Sequence, residues 1–571
     1  MKKIACIAVL SVVFLLSSAR AENYTVHGDM VSDIHFEIQK SVTTVPGVQK
    51  TILSFVIPPT FDSPTFNQHI RDFDLLFSPP PGGKKEHTDG RGNRIITATW
   101  EKPPGSIDVK LSFEAANTTN LKILETAAPF PLAGVPSDIA YYLKETDQVQ
   151  VSDRRIQQKA RELTRGVETQ FDAVQRILTW VIDHVRYVTP PLQYDAIYAL
   201  QSGKGNCQNF SHLAAALMRA AGIPVRIVNG VTLNKPFHIN RQHGVLTVKM
   251  GQGRHSWIEV WFPDLQWIPF DPQQTSMFVA NRFIRIEVGL DNNETIQDGR
   301  LRWLQARGVS GKVRSSEAID ADFTADSVKV SGRRETYGPK KLLISPQVKA
   351  EFSKIAYTPP PPPPVISAQE ARKLRYTIPF IYGNLEFPEN IDFAFPPVRA
   401  VASGEKSFER RRDFYVETAE YVTTKLIQYA QVFVLEKPAR LQKLGLALHK
   451  FGGGGQIWID LYKDNKGSPG EIIGTSDMID LSQLSTRPGY RWVDFDFRRN
   501  NLFLVPGSYW IGLGYTGSPI LNWFYTYGKP VGPIDGTRYK SVYETQWSGA
   551  LSYEFNYRVI GLTVKQENSK E

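Results

Sequence analysis

The sequence predicts a multidomain protein: an α+β core flanked by all-β sandwich domains at both ends. Three observations carry that expectation. The chain is 571 residues long, which at about 100–200 residues per domain implies three or four domains. Its two ends are written in short alternating apolar runs separated by turn residues, the pattern of half-buried strands. Between them, helical periodicity comes first and strands follow, the order of an α+β domain.

The first 21 residues read as a secretory signal. Lys2 and Lys3 form a basic start, Ile4 to Leu16 an apolar stretch, and Ala19-Arg20-Ala21 a cleavage site. The rival reading, an uncleaved anchor, meets the objection that the apolar stretch is too short to span a bilayer. Cys6 lacks the preceding apolar run of a lipoprotein cysteine. No later segment is long and apolar enough to cross a membrane, so the mature chain is expected to be secreted or periplasmic. Losing Lys2, Lys3 and Arg20 leaves 64 basic against 57 acidic residues, a net charge near +7. That balance favours loose attraction to anionic envelopes, and no nucleic-acid motif is present.

Residues 22–148 form the first sandwich, with runs such as "TILSFVI" (51–57) and "RIITATW" (94–100) on either side of the turn "SPPPGG". Near 150 the character changes. Ser152-Asp153 can cap a helix that stripes Ile156, Ala160 and Leu163 along one face. Thr169, three residues ahead of Asp172, opens a second helix with Ala173, Val174, Ile177, Val181 and Val185 at helical spacing. A third helix starts near Cys207 and stops at Gly222, with Pro224 just beyond. Strands are expected at 224–231, 244–250, 255–262 and 266–271, closing a domain of residues 149–290. Residues 291–400 are charged and poorly periodic and read as linker. Within them Pro359 to Pro364 form a stiff polyproline spacer or, alternatively, a proline-motif ligand. Residues 401–571 return to alternation and hold Trp458, Trp492, Trp510, Trp523 and Trp547. These rings serve as strand filler or, on the rival reading, as a platform for an envelope glycan.

Cysteine arithmetic narrows the chemistry. The chain has two cysteines, and Cys6 leaves with the signal. Cys207 is then alone, unable to form an internal disulfide or a zinc cage. A lone thiol in an oxidising compartment is either an inert buried hydrophobe or a used nucleophile. At a helix start, free N–H groups and the positive end of the dipole favour the thiolate. A thiolate needs an imidazole to shuttle protons, and the imidazole needs a carboxylate or amide to fix its tautomer. Among His238, His243 and His255, strand register selects one. A hairpin centred on Pro263 sets His255 opposite Asp271 on one face. His238 and His243 fall in an expected loop as rim residues, and His212, on the helix itself, is read as structural.

The segment "IYALQSGKGNCQNFSHLAAALMRAAGIPVRIVNGV" resembles the Cys box of the transglutaminase-like superfamily, and "RHSWIEVWFPDLQWIPFDPQ" resembles its His and Asp segments. The upstream "ILTWVIDHVRY" resembles the preceding helix. The resemblance spans about residues 149–290 and implies a papain-like core. It implies Cys207 as nucleophile on an amide carbonyl, His255 as base then acid, and Asp271 as orienter of His255. It also implies an upstream side chain in the oxyanion hole, for which Gln193 and Tyr194 are the candidates. It calls for no cofactor, and the calcium-binding segments of animal transglutaminases are not visible. The acyl group is expected to pass to water, as in a cysteine peptidase acting on protein or peptide-like substrates, or to an amine in crosslinking. The remaining alternative is a non-catalytic surface or glycan-binding scaffold. The terminal sandwiches resemble accessory modules of exported bacterial proteins, the last one in the manner of a jelly roll.

Overall fold

The structure is a computed structural model. It describes residues 23–564 except 123, 188–190, 242–244, 274–276, 308–310, 336–342, 345–347, 350–365, 384–389, 392–398, 401–405, 408–418, 422–426, 487–489, 527–535 and 552. The signal segment and the Pro359–Pro364 run lie outside the described residues.

The N-terminal strands are β1 (Asn23–Thr43), β2 (Val48–Ile57), β3 (Phe66–Ser78), β4 (Gly83–Thr88), β5 (Arg94–Glu101) and β6 (Ser106–Asn120). Side chains alternate across a strand, and β1 uses that period to bury Ile34, Phe36 and Ile38. Those residues meet Leu53 and Phe55 of β2, Ile96 of β5, and Leu111 and Phe113 of β6, so the core of this sandwich lies between two sheets.

The central region begins with three helices. These are α1 (Arg154–Leu163), α2 (Gln170–His184) and α3 (Ala196–Ser202), ahead of α4 (Cys207–Ala220). The Asp153 side chain accepts from Arg155 N and starts α1, while the Thr169 hydroxyl accepts from Asp172 N and starts α2. The strands are β7 (Val225–Thr232), β8 (Phe237–Arg241), β9 (Val245–Val248), β10 (Gly253–Phe262), β11 (Gln266–Phe270) and β12 (Phe283–Gly289). Four of them form a sheet in the order β11-β10-β7-β12. Ala214, Ala215 and Ala216 are fully buried on α4; their small side chains let the helix lie close against β10 and β7.

Residues 300–335 differ from the sequence expectation. Instead of linker they form β13 (Arg300–Gln305) and β14 (Arg314–Glu335). β13 pairs with β2, and β14 pairs antiparallel with β1 from Thr43↔Arg314 to Asn23↔Glu335. The central region is therefore flanked on both sides in sequence by strands of one sandwich. The hairpin β8–β9 joins the same sheet, β8 lying parallel to β14, and β9 pairs in turn with Ala550–Leu551.

The C-terminal sandwich packs one sheet, containing Ala439–Gly452, Tyr490–Asp496, Ile520–Thr526 and Tyr557–Val564, against a second containing Ile427–Leu435, Gln456–Asp464 and Gly507–Tyr515. Leu444, Leu446, Ile459, Leu461, Phe495, Ile511, Leu513 and Trp523 fill the space between them. Trp510 is also buried, whereas Trp458, Trp492 and Trp547 are half-buried. Among the described residues no helix is long and apolar enough to cross a membrane.

Candidate active site

Cys207 is the first residue of α4. Asn206 caps the helix with its side chain accepting from Gln208 N, and Asn209 reaches back to accept from Asn206 N. This reciprocal capping holds the first turn in place. Gly205 makes room for it, since a Cβ there would lie 2.2 Å from Asn209 Cβ. Cys207 is half-buried, and it is the free cysteine among the described residues.

His255 stands on β10, whose partner β7 places Gly230 opposite it. A Cβ on Gly230 would strike the Ile284 carbonyl and the Trp257 ring, so glycine there leaves the space that Trp257 occupies. The imidazole lies against Trp257 and Phe283, with ring centroids 6.0 and 5.7 Å away. Its Nε2 is 2.8 Å from Asp271 Oδ2. Cys207 is the ring's other neighbour, acting on it through its thiol and its charge. Burial acts to lower the His255 pKa. The charge and hydrogen bond of Asp271, together with Cys207, overcome it and push the value up to about 10. The ring is thereby held as imidazolium at neutral pH.

Asp271 lies one residue past the end of β11 and is fully buried. Its Oδ1 accepts from Gln273 N, and its own N–H donates to the Met277 carbonyl. The carboxylate is thus clamped on both oxygens. Its approach to His255 is not the directly opposed pair expected from the sequence. The hairpin is centred on Asp264 rather than Pro263, with Phe262 opposite Gln266 and Ile258 opposite Phe270. Asp264 is drawn into the turn because its carboxylate accepts from Thr126 Oγ1 and Ala127 N. Moving the centre by one residue slides the register by two. Because side chains alternate with a period of two, Asp271 stays on the face of His255 as a diagonal neighbour.

Gln193 and Tyr194 are exposed on the segment that leads into α3. Asn209, two residues past Cys207, bonds the Gln193 and Asp195 carbonyls, bringing this segment to the first turn of α4. His238 is exposed, but on strand β8 rather than in a loop, with its Nδ1 3.0 Å from Thr247 Oγ1. His243 lies outside the described residues. His212 is fully buried and takes no part in the Cys207–His255–Asp271 cluster.

Arg254, Asn209, Ser256 and Asn292 support the site without being among the residues the sequence predicts for it. Arg254, next to His255, pairs with Asp298 at 2.6 Å and Glu317 at 2.8 Å, fastening β10 to the N-terminal sandwich. Asn206 and Asn209, spaced by three ahead of an apolar run, are a capping signal that was open to detection. Ser256 and Asn292 carry no sequence signal, since their value comes from partners far along the chain.

Comparison with known proteins finds likeness over the same region of the chain. Residues 157–272 match the model of the transglutaminase-like superfamily. A Bacillus subtilis protein, YebA, is 29% identical over 126 residues, which is 21% of this chain and 17% of YebA. A protein-glutamine gamma-glutamyltransferase of Pseudomonas aeruginosa is 31% identical over 117 residues, 20% of this chain and 16% of the relative. The chain thus spans about a sixth of the length of these relatives. Among solved structures, a candidate cysteine protease from Cytophaga hutchinsonii overlaps 54% of this chain and 100% of its own, at 18% identity and a TM-score of 0.41. By the family match, the domain that holds Cys207, His255 and Asp271 belongs to the transglutaminase-like superfamily.

Proposed function

We propose that this chain is an exported cysteine enzyme that attacks amide bonds of protein or peptide-like substrates and passes the acyl group to water. One observation carries the reading: a buried imidazole bonded to a clamped carboxylate, with the half-buried sulfur of a helix start beside it. The sulfur of Cys207 attacks the carbonyl carbon, and the carbonyl π pair moves to oxygen as an oxyanion. Collapse of that intermediate breaks the C–N bond while the His255 imidazolium gives its proton to the leaving nitrogen. Water then attacks the thioester, His255 takes its proton, and the acid departs. Asp271 holds the ring oriented throughout.

Iodoacetamide labelling tests this. Labelling of Cys207 is expected to be fast at neutral pH and much slower in His255→Ala. Slow labelling of the native chain, unaltered by that substitution, overturns the reading. The likeness to a gamma-glutamyltransferase favours a second reading, transfer of the acyl group to an amine. With a glutamine donor and a labelled primary amine, a transferase incorporates the label and a hydrolase releases free acid.

A further inference from the structure

Beneath the candidate site lies a second imidazole that the proposed chemistry does not use. His212 is fully buried on α4, about one and a half turns beyond Cys207. Its Nδ1 is 2.6 Å from the Tyr194 carbonyl oxygen, and its Nε2 is 3.2 Å from Asn292 N. Both partners are backbone groups with a single role each, since a carbonyl only accepts and an N–H only donates. The tautomer is therefore fixed with the proton on Nδ1. Burial supports the same state, lowering the pKa to about 4, so the ring is neutral at physiological pH.

The contacts of His212 form part of a buried web. Asn292 accepts from Ser256 Oγ at 3.1 Å and donates to Thr295 Oγ1 at 3.0 Å. Ser256 follows His255 in the chain, and its carbonyl accepts from Ser211 Oγ at 3.0 Å. Meanwhile Asn209 Nδ2 lies 3.0 Å from the Gln193 carbonyl and 3.2 Å from that of Asp195. Three consecutive carbonyls, those of residues 193, 194 and 195, are thus each held by a side chain of the helix that begins with Cys207. A planar trans peptide turns its N–H opposite to its carbonyl. Anchoring these oxygens on α4 directs the Tyr194 and Asp195 amides away from the anchoring side chains and leaves the Gln193 and Tyr194 side chains exposed.

We propose that His212 is a positioning residue for acylation, holding the Gln193–Asp195 segment where it stabilises the oxyanion formed at Cys207. The inference rests on the functional reading above and adds a residue to it. A buried hydrogen-bonded neutral imidazole is suited to this task, because it supplies one rigid donor without introducing a charge.

Two reactions of Cys207 in the full chain separate positioning from damage. Alkylation by iodoacetamide is a displacement at saturated carbon and develops no oxyanion, whereas burst acylation by p-nitrophenyl acetate passes through one. In His212→Gln the amide sits too far out to reach the Tyr194 carbonyl. Acylation is expected to fall roughly 10–100-fold, with alkylation within about two-fold of native and faster amide exchange at 194–195. In His212→Asn the side-chain amide overlies the Nδ1 position, and acylation is expected to recover to within about three-fold of native, the donor being kept. Parallel loss of both reactions in His212→Gln overturns the proposal, as does unchanged acylation or unchanged exchange. A native chain that alkylates quickly but shows no burst also overturns it. Failure of the functional reading shows elsewhere, as alkylation indifferent to His255→Ala.

Discussion

In the central domain, buried polar side chains reach across elements: His255 to Asp271, Ser211 to the Ser256 carbonyl, His212 to the Tyr194 carbonyl. In the C-terminal sandwich, three indoles find hydrogen-bond partners on strands or backbone of the sandwich itself. Trp458 Nε1 donates to Asp460 on its own strand, and Trp510 Nε1 to Asp464 on the neighbouring one. Trp523 Nε1 donates to a backbone carbonyl, that of Asn556. The sandwich uses polarity to let large rings be buried without an orphaned N–H. The central domain uses it to fix a helix tip, a strand and a loop relative to one another, which is what reacting groups require.

Trp523→Ala should give the largest change in stability and the sharpest separation of the two regions. The ring is fully buried and stacked on Phe555 at 4.4 Å. Truncation is expected to cost about 3–5 kcal/mol in a denaturant melt followed by C-terminal fluorescence. The alkylation rate of Cys207 should stay as in the native chain; if it falls in step, the regions are coupled and the contrast fails.

Asp271→Asn comes next, since it leaves a buried imidazole without its charge partner, at about 3 kcal/mol. The pH dependence has a definite sign. The folded His255 value is raised from the ordinary 6.5 to about 10. The stabilisation is therefore fully present below pH 6.5 and lost as pH rises through about 10. Urea midpoints of native and variant should accordingly converge between those values. A gap that widens with pH contradicts the assignment.

The smallest effect is expected at Asp153→Ala, which removes the cap of α1. Loss of the bond to Arg155 N should cost about 1 kcal/mol in the same melt and leave alkylation untouched. An effect on Cys207 would mean that α1 shapes the site and would weaken the contrast between the two regions.

Much of this molecule was legible before any coordinates, and the exceptions have physical causes. The caps Asp153 and Thr169 and the stop at Gly222 are local chemistry, and all three lie where the sequence sets them. The hairpin register differs from the expected one because Asp264 is pulled by Thr126 and Ala127, residues remote in sequence. The period-two rule protected the conclusion about which face Asp271 shares. β14 escaped notice because it is held to β1 by main-chain bonds, which leave no mark on side-chain pattern. Its largely solvent-facing surface, with Asp320 and Asp322 among its residues, reads as linker. The web around His212 escaped for a related reason: its donors and acceptors are ordinary Ser and Asn whose partners are up to 80 residues away.

The pairing of β1 with β14 has a consequence for biosynthesis. Ser32 and Asp326, bonded across those strands, are separated by 294 positions. As the ribosome delivers the chain, β1 emerges long before its neighbour exists, with one ladder of backbone groups open to unwanted pairing. The first module to be made is thus completed only after the enzyme-like domain has been synthesised. A piece of the protein cut at residue 290 would carry that raw edge permanently, and self-association is its expected fate.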